Sequence, residues 1–232
     1  EFGSGTTEKI QILLNKKVKF YIPLDISFDF IKESSKKLLK SFPNLKILPT
    51  YCDYTKYIRL PKSIPKTKIG FFLGSSIGNF YNKEEKKFLN NAKKTLGKKS
   101  FLFVGVDLIK NVKILKKAYN DKGNFTAKFN LNLINIINKQ FKTKLKVSDF
   151  KYMPTFNRKK SSMENFIESK KDQFFFINKH KFYLKKGDKI QTEISNKFTI
   201  SKFTKLAKSS GWSVKKHWKD AKRYYAVFLL QA

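Results

Sequence analysis

The sequence predicts an α/β fold: a doubly wound, Rossmann-like sheet that carries an inserted α+β segment. The first observation is that strand-like apolar runs alternate with amphipathic helical runs over the first 109 of the 232 residues. The second is that this rhythm changes after Lys110, where helical patterns give way to several antiparallel strand patterns. The third is that the last two apolar runs return to strand character and can rejoin the first sheet.

The elements of the first 109 residues follow in order along the chain. The glycine-containing start "EFGSGTTEKIQILLN" fits a turn that leads into a helix. Next come the strand "VKFYIPLDIS", the helix "FDFIKESSKKLLKSF" that Pro43 stops, the short strand "LKILPTYCDY", the buried strand and turn "KIGFFLGSSIGNF", the helix "KEEKKFLNNAKKTLG" closed by Gly97, and the buried strand "SFLFVGVDLI". Strands separated by helices pair in parallel, so a ligand crevice is expected at their carboxyl ends.

Residues 110–197 form the predicted insertion. Its first part is helical in two pieces, broken near Gly123, and its second part contains the strand patterns "KYMPTF", "SSMENFIES", "KDQFFFINKHKFYL" and "KIQTEIS". The helix "TISKFTKLAKSSG", with Gly211 at its C′ position, and the strands "WSVKKHWKD" and "YYAVFLLQA" follow. We therefore predict a core of residues 1–109 and 198–232, and an insertion of residues 110–197 that caps the crevice.

The glycine turn lies at the very start of the sequence. A turn of this kind normally follows a buried strand whose end points at the ligand. A sheet without that central strand would expose apolar edges. We therefore expect the first strand to lie in an N-terminal segment upstream of Glu1.

The composition bears on whether the protein binds nucleic acid or an anionic surface. The formal net charge is +34, which by itself suggests nucleic acid or an anionic surface. Lysine supplies nearly all of this charge, because Arg59, Arg158 and Arg223 are the only arginines, and arginine does most of the bidentate work at nucleic-acid interfaces. The lysines are spread along the whole chain, which favours a compositional bias. A functional basic face is the alternative.

The same sequence argues against a membrane or secreted protein. No apolar run approaches the length of a membrane span, and the first residues are polar and glycine-rich rather than signal-like. Cys52 is the only cysteine, so an intrachain disulfide is impossible and a reducing compartment fits. We expect a cytoplasmic monomer. His180 and His217 lie far apart without metal-ligand spacing, so no metal is expected.

Three features of the first half predict a nucleoside site. Gly3 and Gly5 can let the backbone approach a ligand, although a lone G-x-G is also compatible with an ordinary turn. Asp25 ends the next strand, where a carboxylate can accept hydrogen bonds from both hydroxyls of a ribose. Asp53 ends the third segment and can accept from an adenine amino group, or else cap a helix. Since there is no glycine-rich phosphate cradle, S-adenosylmethionine (SAM) is favoured over NAD or ATP.

Longer motifs make the chain resemble a known family, the SAM-dependent histidine Nα-methyltransferases of ergothioneine biosynthesis. The matching stretches are "EFGSGTTEK", "YIPLDIS", "FFLGSSIGNF", "FVGVDLIK", "KAYNDKGNFTAKFNLNL", "SSMENFIESKKDQ" and "IQTEISNKFT", in family order over the whole chain. The resemblance implies a class I methyltransferase sheet with an inserted substrate-binding cap. It also implies an N-terminal segment before the glycine turn.

The resemblance implies which residues hold the substrate. Gly74 would offer a backbone contact, and Asn79 would hydrogen-bond the α-amino and carboxylate groups of L-histidine, since an amide both donates and accepts. The alternative for Asn79 is a helix N-cap. Tyr119 would bind the carboxylate, with a core aromatic as the alternative.

The imidazole ring is assigned to the second half of the chain in the same way. Glu193 and Ser195 alternate along a strand and so share a face. By resemblance, this pair holds the ring, although an i, i+2 polar pair is usually a solvated strand face. Met163 matches a methionine that packs near the imidazole, with core filler as its alternative.

For the cofactor, the resemblance implies SAM contacts at Gly3, Lys9, Asp25, Asp53 and Tyr54. Lys9 would reach the methionine carboxylate of SAM, but in so lysine-rich a chain it also fits ordinary surface charge. Tyr54 stands where the family has phenylalanine, and this change keeps an aromatic ring.

The resemblance implies trimethylation of the α-amino group of L-histidine to hercynine, with no general base evident among the matched residues. A related enzyme acting on another amino acid or an indole amine is the first rival. A basic RNA- or membrane-associated protein that keeps a vestigial methyltransferase fold is the second, and a fragment that is inactive by itself is the third.

Overall fold

A computed structural model describes residues 1–14, 18–81 and 83–232. The chain forms two compact units: a core unit of Glu1–Leu108 with Thr199–Ala232, and an inserted unit of Ile109–Phe198. Asn15, the last residue of the predicted first turn and helix, lies outside the described residues. None of the helices in the described ranges combines the length and apolarity needed to cross a bilayer.

The helices and strands follow the predicted order. The helices are α1 (Glu8–Gln11), α2 (Phe28–Ser41), α3 (Glu84–Leu96), α4 (Val112–Tyr119), α5 (Phe125–Phe141) and α6 (Ile200–Ser209). The strands are β1 (Phe20–Tyr21), β2 (Leu24–Asp25), β3 (Lys46–Ile47), β4 (Thr50–Tyr51), β5 (Ile69–Phe72), β6 (Phe101–Asp107), β7 (Phe150–Asn157), β8 (Ser162–Ser169), β9 (Gln173–Ile177), β10 (His180–Leu184), β11 (Lys189–Asn196), β12 (Ser213–Lys219) and β13 (Tyr225–Gln231).

The core unit contains the predicted parallel pairings. Strand β5 pairs with β6 in parallel, β1 with β3, and β2 with β4. The predicted strand "VKFYIPLDIS" is divided into β1 and β2, because Pro23 lies between them and has no N–H to donate to a ladder. The first strand prediction was therefore too long. The predicted strand "LKILPTYCDY" is likewise divided, into β3 and β4, which pair with β1 and β2.

The pairs β1–β3 and β2–β4 each form a two-stranded sheet, and the chain end returns, as predicted, to the sheet of β5 and β6, but in the opposite direction. The strand order is β12-β13-β6-β5, and β13 is antiparallel to both β6 and β12. The turn between β12 and β13 is short, and the carboxylate of Asp220 accepts hydrogen bonds from the N–H groups of Tyr224 and Tyr225. A short turn can join only antiparallel strands, so the sheet is mixed.

The first three residues lie between β2 and β5. The N–H of Phe2 donates to Phe71 O at 2.8 Å, while the N–H of Gly3 donates to Leu24 O at 2.8 Å. A cavity of about 490 Å³ adjoins Glu1 and Phe2, between residues of β1 and residues of β5. The expectation of a further N-terminal strand stays a prediction.

Aromatic side chains fill the centre of the core unit. Phe88 on α3 is fully buried, and its ring centroid lies 4.4 Å from that of Phe72 and 5.5 Å from those of Phe2 and Phe80. These rings join helix α3 to β5 and to the first residues of the chain. Aromatic clusters of this kind carry a large share of a core's stability.

The inserted unit is built on a three-stranded antiparallel sheet in the order β11-β8-β7. Its apolar core contains Ile134 of α5, Phe150 of β7 and Ile167 of β8. The run "KDQFFFINKHKFYL", predicted as a single strand, is instead the hairpin β9–β10. Asn178 and Lys179 both have positive φ, which is the conformation that a two-residue hairpin turn requires.

The break predicted near Gly123 separates α4 from α5, and Asp121 organises it. Its two carboxylate oxygens accept from the N–H groups of Phe125 and Thr126, at 2.8 and 2.9 Å. The hydrogen bond from Thr126 and that from Phe125 lower the pKa of Asp121 to about 2. The start of α5 is thereby tied to the residues that follow Tyr119.

The aromatic cluster leads to a stability prediction. Phe88→Ala should lower the free energy of unfolding by about 3–5 kcal/mol, because a buried ring is lost and its cavity closes only partly. This corresponds to a fall in Tm of roughly 6–20 °C. The matched control is Phe30→Ala on α2, in the same unit, whose side chain is 47% exposed. Equal effects of the two substitutions in thermal unfolding would contradict the assigned core.

Candidate functional site

The carboxyl ends of the parallel strands in the core unit carry predicted cofactor residues after β2 and β4, and a predicted substrate residue, Gly74, after β5. Asp25 ends β2, Asp53 and Tyr54 follow β4, and Gly74 follows β5. The carboxyl ends of parallel strands lie at the same edge of a sheet, which is where ligands bind in open α/β folds. The turn at Gly3 also lies there, since residues 1–3 run between β2 and β5.

The glycine turn requires glycine at two positions. Gly3 and Gly5 have φ values of +65° and +54°, in the left-handed region that side chains disfavour. A Cβ atom added to Gly3 would lie 3.3 Å from the ring of Tyr54, so the aromatic ring packs directly on the turn. Asp25 secures the same turn, because its carboxylate accepts from the N–H of Gly5 at 3.4 Å and from that of Ser27 at 3.1 Å.

Tyr54 lies close to both acids. Burial, followed by the negative charges of Asp25 and Asp53, raises the pKa of the Tyr54 hydroxyl. The Asp53 carboxylate accepts from the hydroxyl and the N–H of Thr55, at 2.6 and 3.0 Å, and these bonds hold its pKa below the ordinary value. No helix begins there, so the helix-cap interpretation of Asp53 is wrong.

A buried hydroxyl tests whether this edge suits a polar ligand. Thr7 closes the glycine turn with its backbone in the left-handed region, and it is 1% exposed. Its Oγ1 has no hydrogen-bond partner among the residues that the structure describes. Buried polar atoms are nearly always satisfied. The oxygen has no accessible surface, so a ligand at this edge would not reach it; the fit to SAM rests instead on the acceptor carboxylates of Asp25 and Asp53 beside the turn.

The remaining predicted residues of the core unit are more exposed. Lys9 and Gly74 line one open pocket. Asn79 ends a 3₁₀ helix, Ser76–Asn79, with an exposed side chain. The next helix, α3, has Lys83 at its N-cap position. The helix-cap alternative for Asn79 is therefore wrong, while its contact with a substrate stays a prediction.

In the inserted unit, the predicted ring-binding residues share one sheet face. Glu193 on β11 pairs with Asn165 on β8, and Ser195 pairs with Met163. Directly opposed residues in an antiparallel pair lie on the same face. Met163 and Ser195 are buried and Glu193 is partly buried. The alternative of a solvated strand face for Glu193 and Ser195 is therefore wrong.

A hydrogen-bonded chain orients the Glu193 carboxylate. The side-chain amide of Asn165 donates to Glu193 Oε2 at 2.9 Å, and the hydroxyl of Tyr152 donates to Asn165 Oδ1 at 2.8 Å. Asn165 is fully buried. Burial, together with the negative charge of Glu193, raises the pKa of Tyr152, so this hydroxyl keeps its proton and acts as the donor.

A second chain joins Tyr119 to Ser195. Lys197 Nζ lies 2.9 Å from Tyr119 Oη and 2.9 Å from Ser195 Oγ. It also lies 5.0 Å from the centroid of the Tyr119 ring. Tyr119 is the last residue of α4 and is only partly buried, with its hydroxyl engaged. The alternative of a plain core aromatic is therefore wrong.

Three residues of this cluster were not predicted from the sequence: Tyr152, Asn165 and Lys197. A signal existed for Asn165, because in "SSMENFIES" it stands two positions from Met163 and so shares its face. Lys197 lies two positions after Ser195, but one lysine among so many carries no signal. Across the described ranges, no group of three or more His, Cys, Asp or Glu side chains is arranged to hold a metal ion.

Solved structures confirm the class of fold. The chain aligns with an S-adenosylmethionine-dependent methyltransferase from Clostridium acetobutylicum at a TM-score of 0.54 and 13% identity, covering 99% of this chain and 81% of that one. It aligns with the CcbJ methyltransferase from Streptomyces caelestis at a TM-score of 0.52 and 10% identity, covering 100% and 86%. The predicted class I methyltransferase fold is confirmed.

Curated relatives share more of the sequence. The histidine N-alpha-methyltransferase of Mycolicibacterium smegmatis is 25% identical over 205 residues, which is 85% of this chain and 64% of the relative. Ergothioneine biosynthesis protein 1 of Neurospora crassa is 34% identical over 143 residues, or 57% of this chain and 16% of the relative. The N-methyltransferase fsqC of Aspergillus fumigatus is 23% identical over 244 residues, or 97% and 63%. The chain thus spans less than two thirds of these relatives.

One protein-family model matches the entire chain. The model describes a histidine-specific, SAM-dependent methyltransferase, and the match covers residues 1–232. It includes the glycine turn of the core unit as well as the Glu193 and Ser195 face of the inserted unit. The chain belongs to the family of histidine-specific, SAM-dependent methyltransferases.

Proposed function

We propose that the protein transfers methyl groups from SAM to the α-nitrogen of L-histidine, three times in succession, to give hercynine. The observation that carries this proposal is the polar cluster of the inserted unit. There, Glu193 is held by Asn165, and the hydroxyls of Tyr119 and Ser195 are both held by Lys197. Membership of the histidine-specific family supports the choice of substrate.

The cluster offers the groups that an imidazole ring and a carboxylate need. A carboxylate such as Glu193 accepts a hydrogen bond from a ring N–H, and a serine hydroxyl can serve the second ring nitrogen. A tyrosine hydroxyl can donate to a carboxylate. The supporting bonds keep these side chains in place before the ligand arrives, which lowers the entropic cost of binding.

The core unit offers the groups that SAM needs. Asp25 would accept from the ribose hydroxyls, Asp53 from the adenine amino group, and Tyr54 would present a ring beside the turn at Gly3. Lys9 would reach the methionine carboxylate. The two carboxylates beside the turn at Gly3 and Gly5 support a polar ligand there.

The chemistry demands alignment more than acid–base catalysis. When bound, SAM supplies a methyl group on a sulfonium, which is already an activated leaving group. Asn79 would hydrogen-bond the α-amino and carboxylate groups of L-histidine, and Gly74 would add a backbone contact. These contacts would orient the α-amino nitrogen. The proton lost by the amine leaves to water, either directly or through a tyrosine hydroxyl that passes on its own proton.

The first prediction tests the substrate directly. The protein is incubated with SAM and an equimolar mixture of amino acids, and the products are weighed by mass spectrometry. Histidine alone should gain one, two and then three methyl groups. Methylation of another amino acid, tryptophan included, would mean that this amino acid and not histidine is the substrate. No methylation by a folded, SAM-binding protein would contradict the proposal.

The second prediction concerns Glu193. Glu193→Gln should weaken L-histidine binding about 10- to 100-fold, because a charged hydrogen-bond acceptor is lost, and should leave SAM binding unchanged. Titration calorimetry with each ligand measures both. The matched control is Glu168→Gln on the neighbouring strand β8, whose carboxylate pairs with Lys151 and lies on the opposite face. An equal loss of both ligands in the Glu193 variant would contradict its role.

The third prediction concerns Asp25. The N–H groups of Gly5 and Ser27 donate to different oxygens of the Asp25 carboxylate, so Asp25→Asn keeps the acceptor for only one of them and also loses the charged acceptor for a ribose. We expect SAM to bind about 10-fold more weakly, and the melting temperature to fall by only about 2–4 °C because one hydrogen bond of the turn is lost. Asp29→Asn, an exposed change in the first turn of α2, is the control. Unchanged SAM affinity in the Asp25 variant would remove this residue from the site.

A further inference from the structure

Lys197 has an unusual position for a lysine. It is 1% exposed and follows directly after β11, where its N–H donates to Ser161 O at 2.8 Å. Lysines are almost never fully buried unless the ammonium group is paired with other polar groups. Here Nζ lies between two hydroxyl groups, Tyr119 Oη and Ser195 Oγ, at 2.9 Å from each.

The hydrogen-bond inventory fixes the direction of both contacts. A lysine ammonium has three donors and no acceptor, so both hydroxyl oxygens must accept from it. Each hydroxyl has one proton, which must then point away from Nζ. A positive group that donates to an oxygen also strengthens the opposite bond of that hydroxyl as a donor, because chains of hydrogen bonds polarise one another.

We propose that Lys197 is a positioning residue that sets the hydrogen-bond polarity of the substrate pocket. By donating to Tyr119 and Ser195, it makes both hydroxyls donors toward the ligand. The pocket then selects an amino acid whose two ends are acceptors: a carboxylate at Tyr119 and an unprotonated ring nitrogen at Ser195. This inference rests on the proposed function and defines the form of the ring that binds.

Glu193 completes the selection. Glu193 and Ser195 are two residues apart on β11, which places their backbones about 7 Å apart on one face. A five-membered ring that makes a hydrogen bond at each of its nitrogens covers such a span. The carboxylate of Glu193, held by Asn165, takes the N–H, and the hydroxyl of Ser195 serves the nitrogen without a proton. One neutral tautomer of imidazole matches both groups.

The test compares L-histidine with ligands in which one acceptor is removed or replaced by a weaker, uncharged one. L-histidine is compared with L-histidinamide, which lacks the carboxylate, and with the two pyrrolylalanines, each of which keeps one ring N–H and replaces the other nitrogen by C–H. Binding is measured by calorimetry on the protein saturated with S-adenosylhomocysteine. For the unmodified protein, we expect histidinamide and the better-bound pyrrole to bind about 10-fold more weakly than histidine.

Lys197→Met should weaken histidine binding about 10-fold but binding of the analogues only about 2-fold. The ratio between the affinities for histidine and for the analogues therefore becomes smaller. The reason is that the contribution of Lys197 reaches the ligand only through a hydroxyl that donates to an acceptor. Lys160→Met, an exposed change in the same unit, is the matched control. If the methionine variant does not fold, Lys197→Gln, which also removes the charge, should narrow the discrimination in the same direction.

The outcomes separate this inference from the proposed function. If the unmodified protein methylates histidine, but Lys197→Met weakens all ligands by one common factor, Lys197 has only a structural role and the inference fails alone. The inference also fails alone if the preference of that variant for histidine over the analogues equals that of the unmodified protein. If the unmodified protein does not bind histidine in preference to either analogue, this inference fails alone; if it neither binds nor methylates histidine, the proposed function fails and this inference with it.

Discussion

The convergence of parallel strands at one edge is the constraint on which the core unit depends. The backbone of Glu1–Gly3 hydrogen-bonds to β2 on one side and to β5 on the other. Its turn therefore lies beside the ends of both strands. The acid that ends β2 ties the turn through the N–H of Gly5, and the ring of Tyr54 covers Gly3. Sheet geometry thus brings together residues that are more than fifty positions apart in the chain.

The inserted unit also brings polar side chains together, but it does so on one face of an antiparallel sheet. One part of its helix-covered face is apolar, with Phe150 and Ile167 packed near α5. Farther along the same face, Asn165 and Glu193 form a polar pair directly opposite each other. The apolar part supplies the burial that holds the sheet in register. The hydrogen bond from Asn165 then holds the Glu193 carboxylate in one orientation, while the apolar part supplies the core.

Both units use supporting residues to hold the groups that would meet a ligand. Asp25 is oriented by two backbone N–H groups, Glu193 by Asn165, and Tyr119 and Ser195 by Lys197. In each case the supporting bond comes from a group that can only donate at that contact. Such bonds keep a carboxylate or a hydroxyl in one orientation, which is what selective recognition of a small polar molecule requires.

The sequence by itself determined the alternation of elements, the class of fold and the identity of the family, because hydrophobic periodicity and long motifs are local properties of the chain. It also placed Glu193 and Ser195 on one face. Only the tertiary structure decided that "VKFYIPLDIS" breaks at Pro23, that β9 and β10 form a hairpin, and that Tyr152, Asn165 and Lys197 join the polar cluster. The reason is physical: a lysine becomes distinctive only when folding buries it between two hydroxyl groups from separate elements.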